Sequence, residues 1–176
     1  TYVGNPIQEY IRKYKYNDSW RDQLEGKLED NIVALFPGSR RSEIQRNLPT
    51  LLETAQSIYS KQPGIQFALS CSNESVKDLL KAQLALTPES FQHNVVLVPK
   101  QFTYELMRDC RTAIAKSGTV MLELALHKCP SIAIYKLTAL NRLYAKHILK
   151  VKLPHYCIVN ILTNNQVFPE FIERDL

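Results

Sequence analysis

The feature that most constrains this chain is a recurring unit: a short apolar run, a turn built on glycine and small polar residues, then a helix-forming stretch. Its clearest instance is Ala113-Ile114-Ala115-Lys116-Ser117-Gly118-Thr119-Val120-Met121-Leu122-Glu123. An alternating run from Thr112 stops at Ser117-Gly118-Thr119, and residues 120–126 that follow are helix-forming and almost wholly apolar. The pattern reads as strand, tight turn and buried helix. The first amides of such a helix lack internal partners and, with the helix dipole, favour an anion such as phosphate. Gly118 lets a ligand approach the backbone without meeting a Cβ. Glu123, a lone carboxylate on the apolar helix, suits a pair of sugar hydroxyls. On these residues alone an ordinary helix start accounts for the pattern at least as well, since Ser, Thr and an early Glu are all favoured there.

The same unit occurs earlier. Residues 31–36 form a continuous apolar run, as in a strand buried on both faces of a parallel sheet. Pro37-Gly38-Ser39-Arg40-Arg41-Ser42-Glu43 follows, a second glycine-containing turn that carries two arginines. Asn47 suits the N-cap of the next helix, with Pro49 in its first turn and Leu48, Leu51, Leu52, Ala55 and Ile58 on one face. Further strands are expected at 65–69, 94–98, 112–115, 130–135 and 156–159, and helices at 75–86, 104–109 and 139–150, with another starting at 168. Regular strand-helix alternation gives an α/β fold, a doubly wound parallel sheet, in which ligands sit at the carboxyl ends of strands. Both glycine-containing turns lie at such ends.

Residues 1–6 read as a strand edge entering a turn, and 7–30 as a polar, aromatic connector (Tyr10, Tyr14, Tyr16, Trp20) with a short helix around 19–28. The division is therefore 1–30 as connector and cleft-side turn, and 31–176 as a Rossmann-like lobe. Because the chain starts at Thr1, within what reads as a strand, it is expected to be a piece of a longer protein.

Composition narrows the function. With 45% hydrophobic and 22% charged residues, the chain is an ordinary globular one rather than disordered. A net charge of +5 suits phosphate-bearing ligands or an anionic membrane surface. Cys71, Cys110, Cys129 and Cys157 form no C-x-x-C pair and read as buried free thiols of a reducing compartment; the histidines show no ligand spacing, so no metal is expected. No apolar run is long enough to span a bilayer. The absence of Gly-x-Gly-x-x-Gly disfavours a dinucleotide-binding oxidoreductase. Arg142, Lys146 and Lys150 recur every fourth residue, with Lys152 just beyond, opposite Leu140, Leu143, Tyr144 and Ile148. Such a basic amphipathic helix could rest on an anionic leaflet, or be a solvated helix face packed on its sheet.

An ordered set of motifs adds a resemblance: Val3-Gly4-Asn5-Pro6, Phe36-Pro37-Gly38-Ser39-Arg40-x-Ser42-Glu43, Ser117-Gly118-Thr119-x-x-Leu122-Glu123, Pro130-x-x-x-x-Tyr135 and Asn160-Ile161-Leu162. Together they resemble the C-terminal part of the lipid-A-disaccharide synthases, glycosyltransferases of the two-lobed GT-B arrangement. The resemblance implies that this lobe binds a UDP-sugar donor. It implies an inverting reaction of UDP-2,3-diacylglucosamine with 2,3-diacylglucosamine 1-phosphate, giving a β-1,6-linked disaccharide and UDP. The general base is then expected on the chain's own N-terminal lobe, so the chain alone should not turn over. Arg40 is expected to neutralise the departing diphosphate, Gly38, Ser39 and Glu43 to shape its turn, Ser117, Gly118 and Thr119 to receive phosphate, and Glu123 to hold the ribose. Asn160 is expected to line the cleft from a strand end, with Asn5 and the Tyr135 hydroxyl at its edge. Arg142, Lys146, Lys150 and Lys152 would meet the membrane. No cofactor or metal and no nucleic acid is implied, and a homo-oligomer stays open. The expected location is the cytoplasmic face of the inner membrane of a Gram-negative bacterium.

Three positions depart from the family pattern: Asn5 stands where histidine is usual, Val159 replaces a proline and Phe36 a leucine. Asn5 matters most, because it cannot do a histidine's acid-base work. Other UDP-N-acetylglucosamine enzymes, the muramyl-pathway transferase or the 2-epimerase, share a Glu-bearing helix, though with a more glycine-rich turn. A non-catalytic nucleotide-binding or membrane-docking module could use the same fold.

Overall fold

Five short apolar runs and one three-residue strand assemble side by side into a single sheet. The computed structural model describes residues 6–136 and 154–172. Its strands are β1 (Ile32–Phe36), β2 (Gln66–Cys71), β3 (Val95–Pro99), β4 (Thr112–Lys116), β5 (Ser131–Tyr135) and β6 (Glu170–Ile172). Every pairing is parallel and the order is β3-β2-β1-β4-β5-β6. The helices are α1 (Pro6–Lys13), α2 (Arg41–Lys61), α3 (Lys77–Leu84), α4 (Glu89–Gln92), α5 (Thr103–Asp109), α6 (Val120–Leu126) and α7 (Ile158–Thr163). The chain winds outward from β1 to β3, then returns to the centre and winds the other way from β4. The switch point thus lies between β1 and β4, where their carboxyl ends open a crevice.

All of β1 is buried because both faces are covered. Ile32, Ala34 and Phe36 join Trp20, Leu106, Met107, Met121 and Leu124 on one face. Val33 and Leu35 join Ile44, Leu48, Leu51, Leu52 and Leu80 on the other. Period-two side chains therefore divide one continuous apolar run between two cores. The four cysteines are free and buried, and the Cys110 and Cys129 sulfurs stand 3.3 Å apart.

Four local expectations need correction. The connector carries α1, while the expected helix around 19–28 is only a 3-10 turn at Trp20–Gln23. Helix α1 buries no residue completely; Ile7, Tyr10 and Ile11 recur at helical spacing, a signal the sequence reading passed over, and a Lys13–Glu9 pair at 2.6 Å supports it. Helix α2 starts at Arg41, well before Asn47. Asn47 lies inside it, and its amide donates to the Glu43 carbonyl (2.7 Å) and to that of Pro37 (3.4 Å). Pro49, also internal, costs the helix about 3 kcal/mol. Burial of Leu48, Leu51, Leu52 and Ala55 offsets that cost. Residues 156–159, read as a strand, lead into and begin α7, and the helix expected from 168 is strand β6 on β5. Asn160 decides this exchange. Fully buried, its Oδ1 accepts from the Val167 and Phe168 amides (2.9 Å each) and its Nδ2 donates to the Phe168 carbonyl (2.8 Å) and to Glu170. Those bonds fix the loop that delivers β6 to the sheet edge. The basic residues of 142–152 and Asn5 lie outside the described residues.

Candidate functional site

The turn after β1 is shaped by one glycine and one carboxylate. Gly38 has φ of 116°, a conformation that L side chains rarely adopt, and an added Cβ would meet Glu43 Oε2 at 2.8 Å and Glu43 Cβ at 2.9 Å. Glu43, in the first turn of α2, reaches back so that Oε2 accepts the amides of Ser39 (3.2 Å) and Arg40 (3.4 Å). Its Oε1 lies 3.3 Å from both the Arg40 guanidinium and Lys116 Nζ. Burial raises the Glu43 carboxyl, but the Ser39 amide, Lys116 and the Arg40 amide outweigh it and hold the group below its usual range. Arg40 itself projects outward, its side chain 81% exposed.

Across the switch point, β4 ends in Lys116 and the second turn. Ser117 is spent on structure: its amide completes the ladder to Ile134 (2.8 Å) and its hydroxyl donates to the Tyr156 carbonyl (3.0 Å). Ser117 is not among the residues that line the cleft. Gly118, Thr119, Val120 and Glu123 line the cleft. Glu123 is steered by Tyr104 of α5, whose hydroxyl donates to Oε1 at 2.9 Å. Burial, and then that carboxylate, push the Tyr104 hydroxyl well above its ordinary value, so the proton stays on the tyrosine.

The third wall is aromatic. Tyr104 packs edge-on against Tyr10 (5.9 Å) and Tyr14 (5.0 Å), bringing the connector to the site. Tyr14 donates to the buried carboxylate of Glu105 (3.2 Å), and burial and then Glu105 push its hydroxyl from 10.0 up to about 12. Ser70 and Ser72 from the end of β2, with Lys100, Gln101 and Thr103 beyond β3, complete a cleft of about 830 Å³.

Seven of the residues singled out from sequence meet in this one cleft: Gly38, Ser39, Arg40, Glu43, Gly118, Thr119 and Glu123. Asn160 does not; it is buried within α7 and occupied by the loop before β6. Tyr135 is also absent from the lining, half-buried and stacked on Tyr156 at 6.3 Å. Lys116, Tyr104, Tyr10 and Tyr14 were missed. Lys116 carried a signal, being a lysine that ends an otherwise apolar strand, whereas Tyr104 meets Glu123 only through packing. Among the described residues no group of three or more His, Cys, Asp or Glu is placed to hold a metal ion. None of their helices is long and apolar enough to cross a membrane.

Comparison with known proteins places the chain in a family. A family model described as lipid-A-disaccharide synthetase matches residues 1–176. The chain is 40% identical over 175 residues to the lipid-A-disaccharide synthase of Chlamydia pneumoniae, covering 97% of this chain and 28% of that protein. It is 38% identical over 171 residues to that of Chlamydia trachomatis serovar D, with the same coverage. For Nitrosococcus oceani the identity is 35% over 178 residues, covering 99% of this chain and 43% of the relative. The chain thus spans between 28% and 43% of the length of these relatives. Among solved structures, ADP-heptose LPS heptosyltransferase II of E. coli superposes with a TM-score of 0.55 at 16% identity, over 78% of this chain and 40% of that one. That likeness establishes the fold class, a Rossmann-like α/β lobe of the GT-B kind.

Proposed function

The chain belongs to the lipid-A-disaccharide synthetase family, and from that premise we propose that its cleft binds the UDP-sugar donor of an inverting glycosyl transfer. The donor is UDP-2,3-diacylglucosamine and the acceptor 2,3-diacylglucosamine 1-phosphate. The observation that carries this reading is that two glycine turns flank one switch point and open into one cleft beside Arg40 and the Tyr104-steered Glu123. Glu123 Oε1 is occupied by Tyr104, and the carboxylate's remaining acceptor capacity takes the ribose hydroxyls. The diphosphate lies along the turns.

In the transfer, the acceptor hydroxyl attacks the donor's anomeric carbon from the face opposite UDP. The bond from that carbon to the diphosphate oxygen breaks, and the new negative charge collects on UDP. Arg40, free to swing because it is exposed, grips those oxygens bidentately as charge builds. The base that takes the acceptor proton belongs to the other lobe of the intact protein, and no metal or cofactor is called for. Residues 1–30 serve as the connector between lobes and contribute Tyr10 and Tyr14 to the donor side.

Calorimetric titration of the intact gene product with UDP, UMP and NAD tests the reading. UDP should bind selectively, and Glu123→Ala should weaken it about tenfold or more, the scale of losing hydrogen bonds to a charged group. Binding of NAD in preference, or UDP binding indifferent to Glu123, would overturn it.

A further inference from the structure

Lys116 is the one residue of the second turn whose charge the donor-binding reading leaves without a task. It closes β4, yet its side chain is only 23% exposed because it folds into the crevice toward Glu43. The 3.3 Å contact joins two turns whose residues are 73 apart in sequence. One interpretation is purely structural: a lysine ending a buried strand needs a carboxylate, and Glu43 supplies it.

Two observations go further. Glu43 Oε1 is shared by two cations, Arg40 and Lys116, each at 3.3 Å. Charge-assisted bonds close to about 2.8 Å when they are fully made. Glu43 also spends its other oxygen on two backbone amides. One carboxylate therefore holds two cations loosely, and positive charge is left facing the cleft. The second observation is the space above Gly118. Apart from its chain neighbours, a Cβ there would have within 4 Å, among the described residues, only Lys116 Nζ at 3.6 Å and the Lys116 carbonyl at 3.9 Å. With no Cβ in the way, a phosphate oxygen can rest in van der Waals contact on that face of Gly118, and because Lys116 and Gly118 line the same cleft the ammonium can turn to meet it.

We propose that Lys116 is a phosphate-gripping residue, holding an oxygen of the donor diphosphate over Gly118 while Arg40 takes the outer oxygens. This deepens the donor-binding reading and rests on it. Glu43 is the positioning residue: it keeps the ammonium in the crevice at a distance from which a phosphate oxygen can draw it away. The glycine at 118 is then required for ligand space rather than for backbone conformation, since its φ is not among the positive ones.

The test uses the intact gene product, titrated with UDP and uridine, with Lys116→Met, Lys116→Gln and Lys116→Arg, and thermal melting to verify folding. Lys116→Met and Lys116→Gln should each weaken UDP roughly tenfold or more and leave uridine unchanged, while Lys116→Arg keeps most of the affinity. The same loss should persist in a Glu43→Gln background, where the amide still accepts from Ser39 and Arg40 but the ion pair is gone. UDP affinity in Lys116→Gln within about twofold of the unmodified protein would overturn the proposal, that being the scale of a surface charge. So would a loss that vanishes in the Glu43→Gln background, because Lys116 would then act only through Glu43. Failure of the unmodified protein to bind UDP at all would instead overturn the donor-binding reading beneath it.

Discussion

Gly38 shows how tightly single atoms define this site. Its positive φ and the Glu43 atoms 2.8 and 2.9 Å from a notional Cβ leave no room for alanine. Gly38→Ala should cost about 1–3 kcal/mol of folding stability, read from urea unfolding, from backbone strain and displacement of Glu43. A cost below about 0.5 kcal/mol, the scale of an ordinary surface change, would mean that the turn relaxes freely. The residue was legible in sequence because few residues other than glycine tolerate such a turn. Glu43 was singled out as part of that turn through the family resemblance, although the helix was expected to begin only at Asn47. What no spacing could supply was its partner Lys116, at the end of the first strand of the second winding, or the Tyr104 bond that aims Glu123. Such pairs come from packing.

At the scale of elements, the strands buried on both faces declared themselves as apolar runs, and β1 to β5 fall within a residue or two of where periodicity puts them. Elements whose identity rests on side-chain hydrogen bonds did not. The apolar residues around Asn160 suit a short strand or a short helix, and only the Asn160 bonds to 167, 168 and 170 decide between them. Helix α1, which has no fully buried residue, was missed although Ile7, Tyr10 and Ile11 recur at helical spacing. Its segment is nevertheless pinned to the lobe: Trp20 is fully buried with its indole N–H on Asp109 (2.8 Å), and Tyr14 donates to Glu105. Because the folded state holds the Tyr14 proton up to about pH 12 and the unfolded chain releases it near 10.0, the stability this bond contributes is complete below pH 10 and is lost as pH rises from there to 12. Unfolding midpoints at about pH 9 and about pH 11 should therefore differ less in Tyr14→Phe than in the unmodified protein. Equal differences in the two proteins would show that the bond does not couple folding to that proton.

For the molecule as a whole, the parallel sheet followed from the strand-helix alternation, whereas the strand order and its switch point came from the structure, and the cleft lies where such topology puts ligands. The substrates of the proposed reaction are lipids, and that reading calls for a contact with a membrane surface. We propose that Arg142, Lys146, Lys150 and Lys152 supply that contact. Flotation with vesicles containing anionic lipid should show binding that falls when Lys146→Glu and Lys150→Glu are combined, and unchanged flotation would remove the idea.

The strand order also has a consequence for how the protein is made. Val33 of β1 pairs with Phe67 on one side and with Thr112 on the other. As the chain leaves the ribosome, β1 therefore gains its first neighbour early, while its other edge waits until β4 has been synthesised. Throughout that interval the most apolar strand of the protein carries an open row of amides and carbonyls, the template on which nascent chains mispair. The crevice that serves the ligand thus lies on the later of the two seams flanking β1 to close during biosynthesis.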